Sequence, residues 1–367
     1  MEYDDAELSD LYWQLDHETN IECTDIDGKT MTIIHQQFGN LTVLAKIERF
    51  VKDIARTKQV AFDMRDSVSR SNIVLLPTLE RYFCFMASML NVFDEQYVYS
   101  PRVDVFFHAC KQIGILPGIY PFSRNATEVD PETGKRYGEV FNVLIATIRQ
   151  LVSRSKFKRK LKNHEHSVRR RIAKVLVWEQ RLFGSKSRYV IMPLTLTYKL
   201  EYRDEVTPEL VQEHLRHFFN NRRGNSLLSG VEEYVWRMEE ADYVGVHVHL
   251  LVAYDGTVNG DFIRSKQLCD YLETTVMDGM GSVSAGNLYK GSKWQGVYDR
   301  CGGKINSYDT GLREQLRAAL RYMAKASQLL KRKSSNKTKT FGMSQPPEHS
   351  GKGRKRKTCT EVERLAA

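Results

Sequence analysis

The stretch YVGVHVHLLV, residues 243–252, decides how this chain is read. Successive side chains in a strand point to opposite faces, so Val244, Val246, Val248, Leu250 and Val252 fall together on one side. That side must be buried against helices, and His247 and His249 are then expected on the opposite, open face. Two imidazoles at alternate strand positions converge on one point. They can ligate a divalent metal and leave coordination positions for water and phosphate oxygens. On spacing alone a pair of exposed histidines is an equally good reading, so the surrounding sequence has to decide.

Upstream, Tyr234, Trp236 and Met238 form one face of a strand, and Val235, Arg237 and Glu239 form the other. A short turn at Ala241-Asp242 leads from that strand into the histidine strand. A metal that activates a phosphodiester wants an oxygen ligand, because Mg²⁺ and Mn²⁺ favour carboxylates. Alternation puts Glu239 on the same side as Arg237 and makes it the third ligand; a bulge in the turn would substitute Glu240. Downstream, in RYMAKAS, Tyr322 and Lys325 are three apart on a helix and share a face. A phenol ionises near pH 10, so a tyrosine nucleophile at neutral pH needs a nearby cation or metal, and Lys325 is placed to supply the charge.

Other histidines and tyrosines are weaker candidates. His214 and His217 lie at i and i+3 on a helix with no ligand cluster beside them, and read as packing or surface residues. His164 and His166 sit in a basic stretch, where neighbouring cations disfavour a metal. Tyr289, Tyr298 and Tyr308 fall in a glycine-rich region without a comparable helix partner.

The rest of the chain frames these residues. Its 367 residues fit two domains with room for hydrophobic cores. The first half carries helical spacing at Leu44, Ile47, Val51 and Ile54, over Leu79–Phe93, and over Val103–Cys110 and Val140–Leu151, which predicts a mostly α-helical domain. From residue 187 the pattern is β-α-β-β-α-β-α, which predicts an α+β domain, an antiparallel sheet with flanking helices. Its first strand holds Val190, Met192, Leu194 and Leu196 on one face, and Pro193 argues for an edge or a bulge. Thr207-Pro208-Glu209 opens the following helix as cap, first-turn proline and first-turn acid.

Ten acids and no Lys or Arg in the first 27 residues are the opposite of a secretory leader, and no run reaches the roughly 18 apolar residues of a membrane span. A cytoplasmic protein with no membrane partner is expected. Six cysteines without a Cys-x-x-Cys pair read as reduced thiols. The net charge of +10 is unevenly spread: ten Lys or Arg residues lie between Arg154 and Lys174, and a second concentration runs from Lys331 to Lys357. Such clusters release counterions from a phosphate backbone and bind nucleic acid without reading sequence. The plainer reading is a solvated helix face and a disordered basic tail.

LTLTY (194–198), VWRMEE (235–240), GVHVHLLV (245–252), LRYMAKAS (320–327) and KTKTFGMSQPP (337–347), in that order, resemble the replication initiators of filamentous phages and related prophage proteins. These belong to the His-hydrophobic-His (HUH) endonuclease superfamily. The resemblance covers residues 187–347, and it implies a rolling-circle initiator. Mg²⁺ or Mn²⁺ would sit at His247 and His249 with Glu239 as helper, and Tyr322 would nick single-stranded DNA at a replication origin, leaving a 5′-phosphotyrosyl strand. With no P-loop in the chain, a host helicase and polymerase are the expected partners. The implied organisation is a helical domain over 1–150, a basic linker helix over 151–186, the HUH endonuclease domain over 187–347 and a basic tail over 348–367. Two other classes fit the same residues: a DNA-binding regulator without turnover, and an unrelated metal hydrolase in which Tyr322 is structural.

Overall fold

The computed structural model describes residues 9, 12–13, 21–26, 29–34, 40–63, 74–75, 77–241, 244–258, 260–286, 299–326, 330–332 and 338–346. Tyr289, Tyr298, the 348–367 tail and most of the acidic leader lie outside them. The chain divides into two compact units, Met1–Ser167 and Val168–Ala367.

The first unit contains a hairpin of β1 (Ile21–Ile26) and β2 (Lys29–Ile34), helix α1 (Asn40–Arg56), and a short pair β3 (Phe62–Asp63) and β4 (Val74–Leu75). Helices α2 (Met86–Asn91), α3 (Pro101–Gln112) and α4 (Tyr137–Ser153) follow. Leu44, Ile47, Val51 and Ile54 are buried as one face of α1, as their spacing requires. Phe50 on that helix stacks on Phe141 of α4 with ring centroids 5.4 Å apart. The sequence reading of a mostly α-helical domain named no strands here, and the run from Leu79 to Phe93 is broken into short helical pieces rather than one helix.

Helix α5 (Ser155–Ser185) contains the division between the units, where the sequence reading placed a linker helix. The second unit is mixed α and β, built on an open antiparallel sheet of six strands. These are β5 (Arg188–Tyr198), β6 (Val231–Ala241), β7 (Gly245–Asp255), β8 (Gly281–Ala285), β9 (Gly303–Asn306) and β10 (Phe341–Met343). The order is β9-β5-β7-β6-β10, with β8 also paired to β5. Helices α6 (Pro208–Asn220), α7 (Asp261–Tyr271) and α8 (Thr310–Ala326) connect them. Thr207 caps α6, its side chain accepting a hydrogen bond from Leu210 N at 3.2 Å, ahead of Pro208 in the first turn.

Pro193 is not on an edge. It pairs with Leu251 of the central strand β7. On the other side of β5, β9 reaches Ile191 and β8 begins at Leu194, so the proline falls in the gap between two partners. There the missing N–H costs the ladder least.

Both faces of this sheet are buried. Val190, Met192, Leu194, Trp236, Met238, Val246, Val248, Leu250 and Val252 pack with Val211, Leu215 and Phe218 of α6 and Leu268 of α7. On the opposite face Tyr189, Ile191, Val235, Leu251 and Ala253 pack with Val175, Trp178 and Leu182 of α5 and with Leu316, Leu320 and Met323 of α8. The face expected to be open to solvent is therefore covered. His247 and His249, which lie on it, are 1% and 2% exposed.

Glu179 of α5 is fully buried and holds α8 against α5 through Arg313 Nε at 2.7 Å and Arg317 Nε at 3.0 Å. At the far edge β10 closes on β6 only because residue 342 is glycine. A Cβ there would overlap the indole of Trp236. Among the described residues no helix is long and apolar enough to cross a membrane.

Candidate metal centre

The hairpin register fixes the site. Glu239 pairs with His247, Arg237 with His249, and Thr195 of β5 stands beside His249 on its other side. All five side chains have the same parity across the pleat, so they collect on one face. The ligand atoms of Glu239, His247 and His249 all lie within 4.8 Å of one another. Glu239 Oε2 is 3.6 Å from Nε2 of each histidine. Glu240 pairs with Val246 and falls on the apolar face, away from the imidazoles.

The histidines are oriented from behind. His247 Nδ1 is 3.1 Å from the carbonyl of Gly245; a carbonyl only accepts, so Nδ1–H donates to it and Nε2 is turned toward Glu239. That Nε2 is buried and has no hydrogen-bond partner. Thr195 Oγ1 meets His249 Nδ1 at 3.3 Å, a contact of the kind that orients metal-ligating imidazoles. Burial alone would raise the carboxyl of Glu239; the Arg237 guanidinium and the two imidazoles outweigh it and hold the group ionised, well below the usual carboxylate range.

This geometry passes a simple test for a cation. The 3.6 Å separations are too long for hydrogen bonds. Two ligands of one ion at bonds of about 2.1 Å stand roughly 3.0–3.4 Å apart, so a small inward adjustment brings all three onto one centre. An ionised carboxylate with two imidazoles is a donor set for a divalent transition ion.

Tyr322 and Lys325 are both buried on α8, one turn apart. The cation found at the phenol is Arg237. Its guanidinium lies over the Tyr322 ring, 4.7 Å from the centroid, and its NH2 is 3.4 Å from the hydroxyl. The same NH2 donates to Glu239 Oε2. No known family, no curated protein and no solved structure matches this chain.

The remaining candidates are not members of the cluster. His214 Nδ1 bonds the hydroxyl of buried Tyr198 at 2.8 Å and its ring stacks on the same tyrosine, which is packing chemistry. His217 is on the same helix. His164 and His166 belong to the first unit. Tyr308 is exposed in the turn before α8. Arg237 and Thr195 are the site residues that motif spacing passes over. Their parity with Glu239 and with the histidines was the available signal.

Proposed function

We propose that this chain is a metal-dependent nickase and strand transferase for single-stranded DNA, of the rolling-circle initiator type, with the second unit as an HUH-like endonuclease domain. One observation carries the reading. Glu239, His247 and His249 meet within 4.8 Å, and the hydroxyl of Tyr322 is separated from that cluster by a single guanidinium nitrogen.

Tyr322 Oη attacks the scissile phosphorus in line. The phenol gives its proton to water, the new P–Oη bond forms as the bond to the 3′-oxygen breaks, and that oxygen leaves as a 3′-hydroxyl with a proton from water. The product is a 5′-phosphotyrosyl strand. Attack by a 3′-hydroxyl reverses the step and rejoins DNA at little net cost, because one phosphodiester replaces another. Glu239, His247 and His249 would hold the ion, which when bound supplies positive charge to the phosphate oxygens. Two nitrogen donors favour Mn²⁺ over Mg²⁺, which prefers oxygen. Lys325, one turn along α8 from Tyr322, supplies a second cation for the phosphate. The basic clusters bind the single strand at the origin, and host helicase and polymerase act on the nicked duplex.

A second reading is a DNA-binding regulator that does not turn over. It is favoured by the burial of both histidines, since a face at 1–2% exposure gives a phosphate no way in without movement of α8. Incubation with 3′-labelled single-stranded origin DNA and Mn²⁺, followed by a denaturing gel, separates the two. Label migrating with the protein, lost in Tyr322→Phe, is the expected result. Binding without any covalent species supports the regulator, and an adduct persisting in Tyr322→Phe removes Tyr322 as nucleophile.

A further inference from the structure

Arg237 is fully buried, and one of its nitrogens does two things. NH2 donates to Oε2 of Glu239, the oxygen that stands 3.6 Å from both histidine Nε2 atoms. The same NH2 lies 3.4 Å from the hydroxyl of Tyr322, under a ring that the guanidinium faces at 4.7 Å. The candidate ligand carboxylate and the candidate nucleophile therefore share a donor.

Donor and acceptor counting gives this contact a direction. A guanidinium has five N–H donors and no acceptor, so the Tyr322 oxygen can only accept from it. A phenolate accepts more strongly than a phenol, and it is also stabilised by the fixed positive charge, which arginine does not lose. The contact thus favours the attacking form of Tyr322 in nicking. It favours equally the phenolate that must depart when a 3′-hydroxyl rejoins the strand.

We propose that Arg237 is a further catalytic residue of the nicking and joining reaction, holding the Tyr322 oxygen as phenolate while fixing Oε2 of Glu239 for the ion. The proposal rests on the nickase reading for its consequence and on the contacts of Arg237 for its substance. It makes Glu239 a regulator of Tyr322. The carboxylate offsets the arginine charge, so removing the carboxylate's charge strengthens the pull on the phenol, and removing the arginine abolishes it.

The test uses the full chain labelled with 3-fluorotyrosine, whose phenol ionises at lower pH than tyrosine. Tyr322 is followed by ¹⁹F NMR without metal and assigned by its absence from Tyr322→Phe. Arg237→Gln keeps a donor without charge and is expected to raise the pH of Tyr322 ionisation by about 1 unit or more. Glu239→Gln is expected to lower it. In Arg237→Gln the pH profile of adduct formation with Mn²⁺ is expected to move up with the phenol.

A folded Arg237→Gln protein with an unchanged Tyr322 midpoint overturns the proposal. If Arg237→Gln does not fold, the Glu239→Gln protein decides: an unchanged or raised midpoint there overturns it, and a lowered one sustains it. A wild-type protein that forms no adduct sinks the nickase reading instead, and the two midpoint shifts remain measurable without it.

Discussion

Histidines two residues apart occur twice in this chain, at His164/His166 and at His247/His249. In helix α5 positions i and i+2 are roughly 200° apart around the axis, so His164 is partly buried while His166 is exposed. In strand β7 the same spacing returns both imidazoles to one face, where they meet Glu239 from the paired strand. In the helical pair the charges that act on His164 are cations, those of Arg102 and Lys160. The strand pair faces a buried carboxylate. A motif written as residue types has no chemistry until its backbone period is known, and here the period differs between the two copies.

Substitution should separate the copies most sharply. On the proposed reading His249→Ala removes a ligand and is expected to cut Mn²⁺-dependent nicking by roughly a thousandfold or more, while His166→Ala leaves the rate within about twofold. Adduct yield over time, measured on both proteins, checks this. Equal loss in both would break the distinction.

The cover over the strand pair is the next contrast. Glu179→Ala leaves Arg313 and Arg317 without their buried carboxylate and should cost about 3 kcal/mol, lowering the thermal midpoint of the second unit by on the order of 10 °C. Calorimetry checks it, and no shift would mean that the clamp does not hold α8.

The smallest effect belongs to the helical pair. Burial, reinforced by the charges of Arg102 and Lys160, depresses His164 from an unfolded value of 6.5 to about 4. Between those values the unfolded chain binds more protons than the folded one. Stability contributed by neutral His164 is therefore complete above pH 6.5 and is lost as pH falls toward 4, by roughly 1–3 kcal/mol. Denaturant unfolding of the first unit followed over that window should show the slope, and His164→Gln should flatten it. A slope of the opposite sign would mean that His164 is charged in the fold.

How much of this was legible depended on which signal each residue carried. The strand faces, the Thr207 cap and the placing of Glu239 on the face of Arg237 follow from alternation and capping chemistry; that Glu239 rather than Glu240 stands opposite His247 depends on the turn, whose length alternation does not give. The closure of the histidine face does not follow from them either, because Thr195, Arg237, Glu239, His247 and His249 together read as a wet surface. The clue was further along the same strand. From Leu250 to Tyr254 alternation gives way to an unbroken apolar run, the mark of a strand covered on both sides. Arg237 could be read only as a residue sharing a face with Glu239, because its contact with Tyr322, 85 residues away in sequence, leaves no trace in local spacing. In the first unit the β1–β2 hairpin was masked by the acidic character of its surroundings, although Asp27-Gly28 between two alternating runs is a hairpin signal. Pro193 misled because the rule for proline in sheets concerns a missing donor, and a gap between two partner strands satisfies it as well as an edge does.

The order of strands along the chain has a consequence in time. His249 is translated 94 residues before Met343, the last residue of β10. At roughly 5–20 residues per second that is about 5–20 s of synthesis. During this interval a nascent chain holds all three candidate ligand residues but lacks first the helix that brings Tyr322 and then the strand that seals β6. On the proposed reading the candidate ion ligands are made before the candidate nucleophile, and a ribosome-bound intermediate of this chain would be unarmed until nearly the last of its described residues has been made.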